Sequence, residues 1–184
     1  MFTLSKDVLK EMLQAQEALN CKFVPDWRNS VKKEWIFTAM FTELAEFLES
    51  SPTRWKWWKP FLEDDNQNQY IEVIDVLHFG LSYMLKDKTE EEILDEYLTS
   101  YSLLASSSDI FKDLNDFRDR NSLMNFFGLL DSMITYAGLD ESKITKIYFD
   151  KLALNHKRVD GGYQAGEYEK INKDGDEDNR LIKI

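Results

Sequence analysis

The sequence predicts an all-α fold, a helical bundle with two central helices that carry paired carboxylates and with an irregular C-terminal tail. Three observations support this prediction. The 184 residues include only seven Gly and three Pro, alternating strand-like patterns are scarce, and apolar residues recur at helical spacing along most of the chain. Because 43% of the residues are hydrophobic, the chain can also bury a substantial core.

The first predicted helix spans about 6–20. Ser5 suits its N-cap position, where a hydroxyl can accept a hydrogen bond from a free backbone N–H. Its predicted buried face consists of Val8, Leu9, Met12, Leu13 and Leu19. Pro25 lies in the loop that follows.

The next two predicted helices, at about 31–50 and 69–86, are apolar almost all round. Pro52 and Pro60 bracket an aromatic segment between them, and the polar run EDDNQNQ (63–69) leads into the later helix. A helix at a protein surface is polar over roughly half of its circumference. We therefore expect both helices to lie in the centre of the bundle.

The remaining predicted helices span about 90–105, 109–119, 121–137 and 140–158. Thr89 and Glu92 have the spacing of a capping box at the start of the first of these helices. Gly138 suits the C′ position after the third, where a left-handed residue ends a helix. Beyond the last helix, Gly, Asp and Lys are frequent, which predicts irregular structure.

Charge and composition exclude several classes of protein. A net charge of −11, from 23 basic and 34 acidic residues, disfavours binding to nucleic acid polymers and to anionic membranes. The sequence shows neither a secretory signal nor an apolar run of the roughly 18 residues that a membrane span requires. The single Cys21 rules out an internal disulfide and a Cys-cluster zinc site. We expect a cytoplasmic protein without a membrane partner.

Polar residues interrupt the apolar helix at about 69–86 along one stripe. At 100° per residue, Glu72, Asp75, His78 and Ser82 fall within a sector of roughly 120°. A helix buried nearly all round turns such a stripe toward the protein interior. Since buried carboxylates are costly unless they are paired or bind a metal, the stripe predicts a functional site.

The other central helix carries a matching pair, because Glu43 and Glu46 have the same i, i+3 spacing as Glu72 and Asp75. Antiparallel packing would bring these carboxylates together, where their charges repel strongly. Oxygen-only ligands favour Mg²⁺ or Mn²⁺, and the lack of any Glu-x-x-His motif argues against a ferritin-like di-iron centre. A single Glu-x-x-Glu pair is usually a solvated face, but two pairs on apolar helices favour a metal site.

Several segments, taken in order, resemble the dimeric all-α dUTPases of the all-α NTP pyrophosphatase superfamily. They are LQAQEALN (13–20), ELAEFLES (43–50), RWKWWK (54–59), EVIDVLHF (72–79) and KLALNHKRVDGGYQAGEYEKINKDGDEDNRL (151–181). The segments span nearly the whole chain, but about 87–135 contains no matching motif.

The resemblance implies one catalytic domain over 1–158, in which about 87–135 forms a candidate smaller helical subdomain. Residues 159–184 would form a phosphate-binding loop and tail of the same domain. The expected reaction is the Mg²⁺-dependent conversion of dUTP to dUMP and pyrophosphate, with dUDP converted to dUMP and phosphate. The expected partners are dUTP or dUDP and a second copy of the chain. The alternatives are a related pyrophosphatase for another nucleotide, such as dCTP, and a non-catalytic helical interaction protein.

The resemblance also assigns roles to individual residues. Mg²⁺, or Mn²⁺ as a substitute, would be held by Glu43, Glu46, Glu72 and Asp75, and Glu46 would also orient or deprotonate the attacking water. The substrate would be bound by Gln16, Asn20, Trp57, Trp58, Lys59, His78, Phe79, Lys151, Asn155, Arg158, Tyr163 and Lys170. Within this set, Gln16 and Asn20 would read the uracil edge or the sugar. Lys151, Arg158 and Lys170 would hold the phosphates.

Simpler interpretations remain open for these residues. In the first, Gln16 and Asn20 are an ordinary exposed amide pair. In the second, the tryptophans and His78 are residues of the apolar core. The basic residues within 143–158 would then interact only with the C-terminal end of the helix dipole, and the Gly-rich segment GGYQAGEY would be an unstructured tail.

Overall fold

The computed structural model of the chain describes residues 4–103, 109–120, 122–171 and 177–182. The α-helices in these ranges are α1 (Lys6–Phe23), α2 (Trp27–Ser30), α3 (Lys33–Glu49), α4 (Asn66–Leu85), α5 (Glu90–Leu103), α6 (Ile110–Arg120), α7 (Leu123–Tyr136) and α8 (Glu141–Asp160). Short 3₁₀ turns cover Pro52–Arg54, Tyr163–Ala165 and Asp178–Leu181. The predicted all-α fold is confirmed. None of the helices in the described ranges has the length and apolarity needed to cross a bilayer.

The predicted capping residues act at their helix ends. The Ser5 hydroxyl accepts a hydrogen bond from the backbone N–H of Val8 at 3.4 Å. The Glu92 carboxylate accepts from the backbone N–H of Thr89, and the Thr89 hydroxyl accepts from that of Glu92. Gly138 has a φ of 67°, a left-handed conformation that glycine adopts at little cost. These helix ends are therefore determined by local sequence.

Most helix ends lie within three residues of the predicted ones, and two differences have a clear structural cause. Helix α4 begins at Asn66, three residues before the predicted start, because the Asp65 carboxylate caps it by accepting from the backbone N–H of Asn68 at 3.0 Å. The short helix α2 was not predicted. Its Trp27 is buried, and the indole N–H donates to Glu17 of α1 at 3.2 Å, so a tertiary contact holds this turn.

Helices α3 and α4 pack antiparallel. Helix α4 lies in the centre of the bundle, whereas α3 lies at its side and is less buried than predicted, with Ile36, Met40, Leu44 and Phe47 as its buried side chains. The Ser50 carbonyl after α3 accepts from the backbone N–H of Asp65, just before α4, at 2.8 Å. At the opposite end of the pair, the ring centroids of Phe37 and Tyr83 are 5.6 Å apart. Most side chains of α4 are buried, as the apolar circumference predicts. The antiparallel arrangement places the acidic middle of one helix beside that of the other.

The other helices pack around α4. Tyr148 of α8 stacks on His78 of α4 with ring centroids 4.4 Å apart, and its hydroxyl donates to the Met12 carbonyl of α1 at 3.0 Å. Helix α7 approaches α4 so closely that a Cβ at Gly80 would lie 2.0 Å from the Phe126 ring. Only glycine permits this contact.

The buried side chains form one continuous apolar cluster. Phe117 of α6 and Phe127 of α7 belong to the same cluster as Leu9 of α1 and Leu77 of α4. The division of 87–135 into a smaller subdomain stays a prediction, and residues 104–108 of that region lie outside the described residues.

Candidate active site

Three carboxylates converge where the middle of α3 faces α4. Glu43 and Glu46 come from α3 and Glu72 from α4, and one oxygen atom of each lies within 4.8 Å of the others. Glu72 is buried, Glu43 is half-buried and Glu46 is exposed, so the cluster opens to solvent on one side. The i, i+3 spacing and the antiparallel packing together produce this acidic cluster.

Burial and mutual repulsion disfavour the charged forms of the Glu43 and Glu72 carboxyl groups. Burial, the charge of Asp75 and the neighbouring glutamates raise the pKa of Glu72 to about 8. The same causes raise the pKa of Glu43 to about 7. The Oε2 atom of Glu72 is buried and accepts no hydrogen bond from the residues that the structure describes. A divalent cation would satisfy this oxygen and offset the repulsion, so the all-oxygen donor set fits a hard metal ion.

We expect the metal-free protein to lose stability as the pH rises from 4.5 to about 8. Glu43 and Glu72 have folded pKa values of about 7 and about 8, against 4.5 for an unperturbed glutamate. Between these pH values the folded state binds more protons than the unfolded state, so the free energy of unfolding falls with rising pH. Thermal unfolding in the presence of a chelator measures this. A melting temperature that rises steadily over the interval would contradict the expected protonation.

The fourth predicted metal ligand, Asp75, lies beside the cluster and pairs with a lysine. Its Oδ2 accepts a hydrogen bond from Lys151 Nζ of α8 at 2.7 Å, and both side chains are largely buried. Burial raises the pKa of Asp75, whereas Lys151 opposes the rise. The structure therefore brings an anionic cluster and a buried cation together, with Asp75 between them.

A buried polar network lies one helical turn further along the stripe of α4. The side-chain amides of Gln16 and Asn20 from α1 both donate to the Ser82 hydroxyl at 3.0 Å. The Gln16 Oε1 atom lies 2.6 Å from His78 Nδ1 and accepts from the Tyr148 hydroxyl at 3.2 Å. These five side chains come from α1, α4 and α8, so the network depends on the packing of those three helices.

His78 is neutral and carries one unsatisfied nitrogen. Burial and the charge of Lys151 lower the pKa of His78 to about 3. Its Nε2 atom is buried and has no hydrogen-bond partner within the described part of the chain. With Nδ1 donating to the Gln16 carbonyl oxygen, Nε2 is an acceptor. Such an orphaned acceptor favours a ligand with a hydroxyl or amide donor at this position.

The basic end of α8 meets the C-terminal segment of the chain. The Arg158 guanidinium donates to both oxygens of Asp178, at 2.5 and 3.1 Å. Asn179 Oδ1 accepts from Lys151 Nζ and from Arg158 Nη2, in each case at 2.8 Å. Asn155 Oδ1 also accepts from Arg158, at 3.2 Å. Two predicted phosphate ligands are therefore held in fixed positions by one tail segment.

The pKa shifts within this group agree with an ion pair. Burial opposes the charge of Arg158, but its hydrogen bonds and charge interaction with Asp178 raise the pKa of the guanidinium. Burial likewise opposes the charge of Asp178, but the bonds from Arg158 and Tyr168 lower the pKa of this carboxyl. Both groups are thus charged at neutral pH.

The other predicted site residues lie nearer the surface. Trp57 is 85% exposed and Trp58 is 48% exposed, and Trp58 contacts the rings of Trp55 and Trp57. Lys59 is exposed in the same segment. The roles of these side chains toward the base stay predictions.

Phe79 is half-buried against the core. In the C-terminal region, Lys170 Nζ lies 5.3 Å from the centroid of the exposed Tyr163 ring. Asp178 donates its backbone N–H to the Lys170 carbonyl at 2.8 Å. This contact links the Gly-rich segment to the residues that hold Arg158.

Three residues of the site received no individual role from the sequence. Tyr148 lies on the apolar face of α8, where helical spacing does not distinguish it from a core aromatic. Asp178 and Asn179 lie in an acidic tail whose return to α8 depends on the path of the chain. Their spacing from Arg158, 20 and 21 residues, is too long for a local pattern.

Similarity to a known protein family agrees with this geometry. A family model described as dUTPase matches residues 8–163. The matched region includes the acidic cluster, the polar network and the basic end of α8. No curated protein matches the sequence.

Proposed function

This chain belongs to the dUTPase family and is a dUTP diphosphatase, and we propose that it works with Mg²⁺ held by Glu43, Glu46, Glu72 and Asp75. The unsatisfied Oε2 of Glu72 and the proximity of Glu43 and Glu46 support this assignment. Asp75 joins the set because its charge raises the pKa of both Glu43 and Glu72. Mn²⁺, which has similar ligand preferences, is the expected substitute.

The observation that carries the proposal is the contact of Asp75 with Lys151 at 2.7 Å. It places an anionic cluster directly against a buried cation that is also bonded to Asn179. A polyphosphate needs both kinds of neighbour, because cations offset its charge and carboxylates hold the metal that binds its oxygens. Arg158 adds a second cation near Lys151, because both side chains donate to Asn179 Oδ1.

The proposed reaction is hydrolysis by direct attack of water on phosphorus. A bound Mg²⁺ would neutralise charge on the phosphate oxygens and lower the pKa of a nearby water. Glu46 is exposed beside the other carboxylates, and we assign it to orient that water and accept its proton. Lys151 and Arg158 would offset the charge that develops on the departing pyrophosphate.

At the other end of the site, the polar network would bind the nucleoside. Asn20 presents an amide group that can both donate to and accept from a pyrimidine edge. Gln16 would position it, because Gln16 Nε2 donates to Asn20 Oδ1 at 2.9 Å. The neutral His78 offers its Nε2 acceptor to a sugar hydroxyl. A site that binds through hydrogen bonds rejects analogues that leave its buried groups unpaired.

The activity proposal can be tested by product analysis. We expect dUTP to give dUMP and pyrophosphate, and dUDP to give dUMP and phosphate, only when Mg²⁺ or Mn²⁺ is present. A panel that includes dCTP and dTTP measures base preference. Full turnover of dUTP in the presence of a chelator would contradict the metal assignment, and a preference for dCTP would contradict the proposed substrate.

We also propose that the protein is a two-fold symmetric homodimer. The exposed aromatics Trp35, Trp57 and Phe61, which are 59%, 85% and 78% exposed, would be partly covered by a second subunit. Light scattering at micromolar concentration should give twice the 21.7 kDa mass of the chain. A mass of one chain would contradict the dimer.

We also propose that the protein is located in the cytoplasm. Cys21 is a free and exposed thiol, which is typical of a reducing compartment. Fractionation of cells that express the full chain would test it.

A further inference from the structure

The Arg158 guanidinium, which we assign to the phosphates, already has most of its N–H groups in use. A guanidinium carries five N–H groups. Nε and Nη2 donate to Asp178, Nη2 donates a second time to Asn179, and Nη1 donates to Asn155. Among the described residues, one N–H of Nη1 is left without an acceptor. The other four bonds determine its direction, so phosphate binding through it depends on how they orient Arg158.

Asp178 is the strongest of these acceptors. Its carboxylate is 7% exposed and accepts two of the four bonds, at 2.5 Å from Nη2 and 3.1 Å from Nε. Hydrogen bonds between two charged groups are stronger than those to a neutral amide, and the other acceptors, Asn155 and Asn179, are neutral. The orientation of the Arg158 guanidinium therefore follows that of the Asp178 carboxylate.

Tyr168 provides a further bond to this carboxylate. Its hydroxyl donates to Asp178 Oδ2 at 2.9 Å, the same oxygen that accepts the longer bond from Arg158 Nε. The direction of the bond is determined, because an ionised carboxylate can only accept. Without it, Oδ2 of Asp178 would keep a single bond of 3.1 Å, and the carboxylate would be free to turn. Tyr168 thus restricts the rotation of Asp178.

The Tyr168 ring is itself held at the end of α8. A Cβ added to Gly161, the residue after that helix, would lie 2.5 Å from the ring. Two residues further along, the Lys170 carbonyl accepts from the backbone N–H of Asp178 at 2.8 Å. The Gly-rich segment therefore meets the tail through the Tyr168 hydroxyl and the Lys170 carbonyl, at the residue that holds Arg158.

We propose that Tyr168 is a positioning residue for phosphate binding, because its hydroxyl orients Asp178, and Asp178 in turn directs the free N–H of Arg158 toward a phosphate oxygen of the nucleotide. The inference rests on the proposed role of Arg158 at the phosphates. Tyr168 does not need to touch the nucleotide. Its contribution to turnover passes through Arg158 and should disappear when the guanidinium is absent.

The test is a double-mutant cycle of Tyr168→Phe and Arg158→Ala in the full chain, with kcat and KM for dUTP measured at saturating Mg²⁺. Phenylalanine keeps the ring and removes only the hydroxyl. Tyr136→Phe is the matched control, because Tyr136 is also half-buried and its ring contacts Arg54 and Phe47 rather than the site. Thermal unfolding establishes that each variant is folded, and Arg158→Lys replaces Arg158→Ala in the cycle if the alanine variant is not.

We expect Tyr168→Phe to lower kcat/KM for dUTP by about tenfold, the lower end of the effect of a hydrogen bond to a charged group. The loss should fall on the same parameter, kcat or KM, that Arg158→Ala changes. In the Arg158→Ala background, Tyr168→Phe should change kcat/KM by less than about twofold, since interacting residues are not additive. Tyr136→Phe should match the wild type.

The cycle separates failure of this inference from failure of the proposed phosphate site. If Arg158→Ala is impaired but Tyr168→Phe is not, the positioning role is wrong while the phosphate assignment stands. A tenfold loss that persists in the Arg158→Ala background would show that Tyr168 acts independently of Arg158, which also overturns the inference. If Arg158→Ala keeps the wild-type kcat/KM, Arg158 does not hold the phosphates, and both assignments are wrong.

Discussion

Glu72→Gln should lower the kcat of Mg²⁺-dependent dUTP hydrolysis by about 100- to 1,000-fold, the range found when one group that stabilises the transition state is removed. Glu72 is the buried member of the acidic cluster, and its Oε2 has no hydrogen-bond partner among the described residues. A neutral amide offers the metal a weaker ligand of nearly the same shape. Steady-state kinetics over a range of Mg²⁺ concentrations measures the loss.

The same substitution should not destabilise the metal-free protein. The carboxylates of Asp75, Glu43 and Glu46 each raise the pKa of Glu72, so their charges repel it. Removing the charge should leave the melting temperature at pH 8 unchanged or raise it. Mg²⁺ should raise the melting temperature of the wild type and have little effect on the variant, because a ligand stabilises only the state that it binds.

Glu34→Gln provides the control, since Glu34 is an exposed carboxylate at the start of α3, the helix that carries Glu43 and Glu46. Its activity and its response to Mg²⁺ should match those of the wild type. Near wild-type turnover of Glu72→Gln at saturating Mg²⁺ would show that the metal site is misassigned. A large loss of stability without metal would instead show that the Glu72 charge has a structural partner.

Arg158→Ala should lower kcat/KM for dUTP by about 100-fold, because the variant lacks the guanidinium that we propose holds the phosphates. Arg158 is buried and held by Asp178, Asn179 and Asn155, so its planar group is already oriented before substrate arrives. Preorganised charge is most effective where new charge develops during the reaction. Kinetics with dUTP and dUDP measures the effect for both proposed substrates.

This substitution also affects stability, which needs a separate measurement. Without its partner, the Asp178 carboxylate is left buried and unpaired except for the hydrogen bond from Tyr168. Loss of one member of a buried ion pair typically costs about 3 kcal/mol of the free energy of unfolding. Adding Asp178→Asn should recover much of that loss, because the unpaired charge is then removed.

The double variant separates stability from function. If Arg158 binds phosphate, the double variant with Arg158→Ala and Asp178→Asn should be more stable than Arg158→Ala alone. Its activity should be as low as that of Arg158→Ala. Lys157→Ala removes the neighbouring exposed cation and should change kcat/KM by less than about twofold, as expected for a screened surface charge. Recovery of activity in the double variant would show that the Arg158–Asp178 pair is only structural.

The central features of the site were predictable because they depend on short-range patterns. The i, i+3 spacing of Glu43 and Glu46 determines that both share one face of α3. The apolar circumference of α4 determines that its polar stripe faces inward. Helices that follow one another in the chain and share an apolar face commonly pack antiparallel, so the convergence of carboxylates followed from local sequence and helix geometry.

The sequence by itself determined the helices, their capped ends and the residues of the acidic cluster, because each depends on interactions between residues about four or fewer apart. Only the tertiary structure decided the partners of the charged and polar groups. Lys151 pairs with Asp75, 76 residues away, and Tyr148 reaches Gln16 across 132 residues. The hydrogen-bond partner of each buried group depends on the path of the whole chain, since each contact forms only after two helices that are distant in the sequence have packed together.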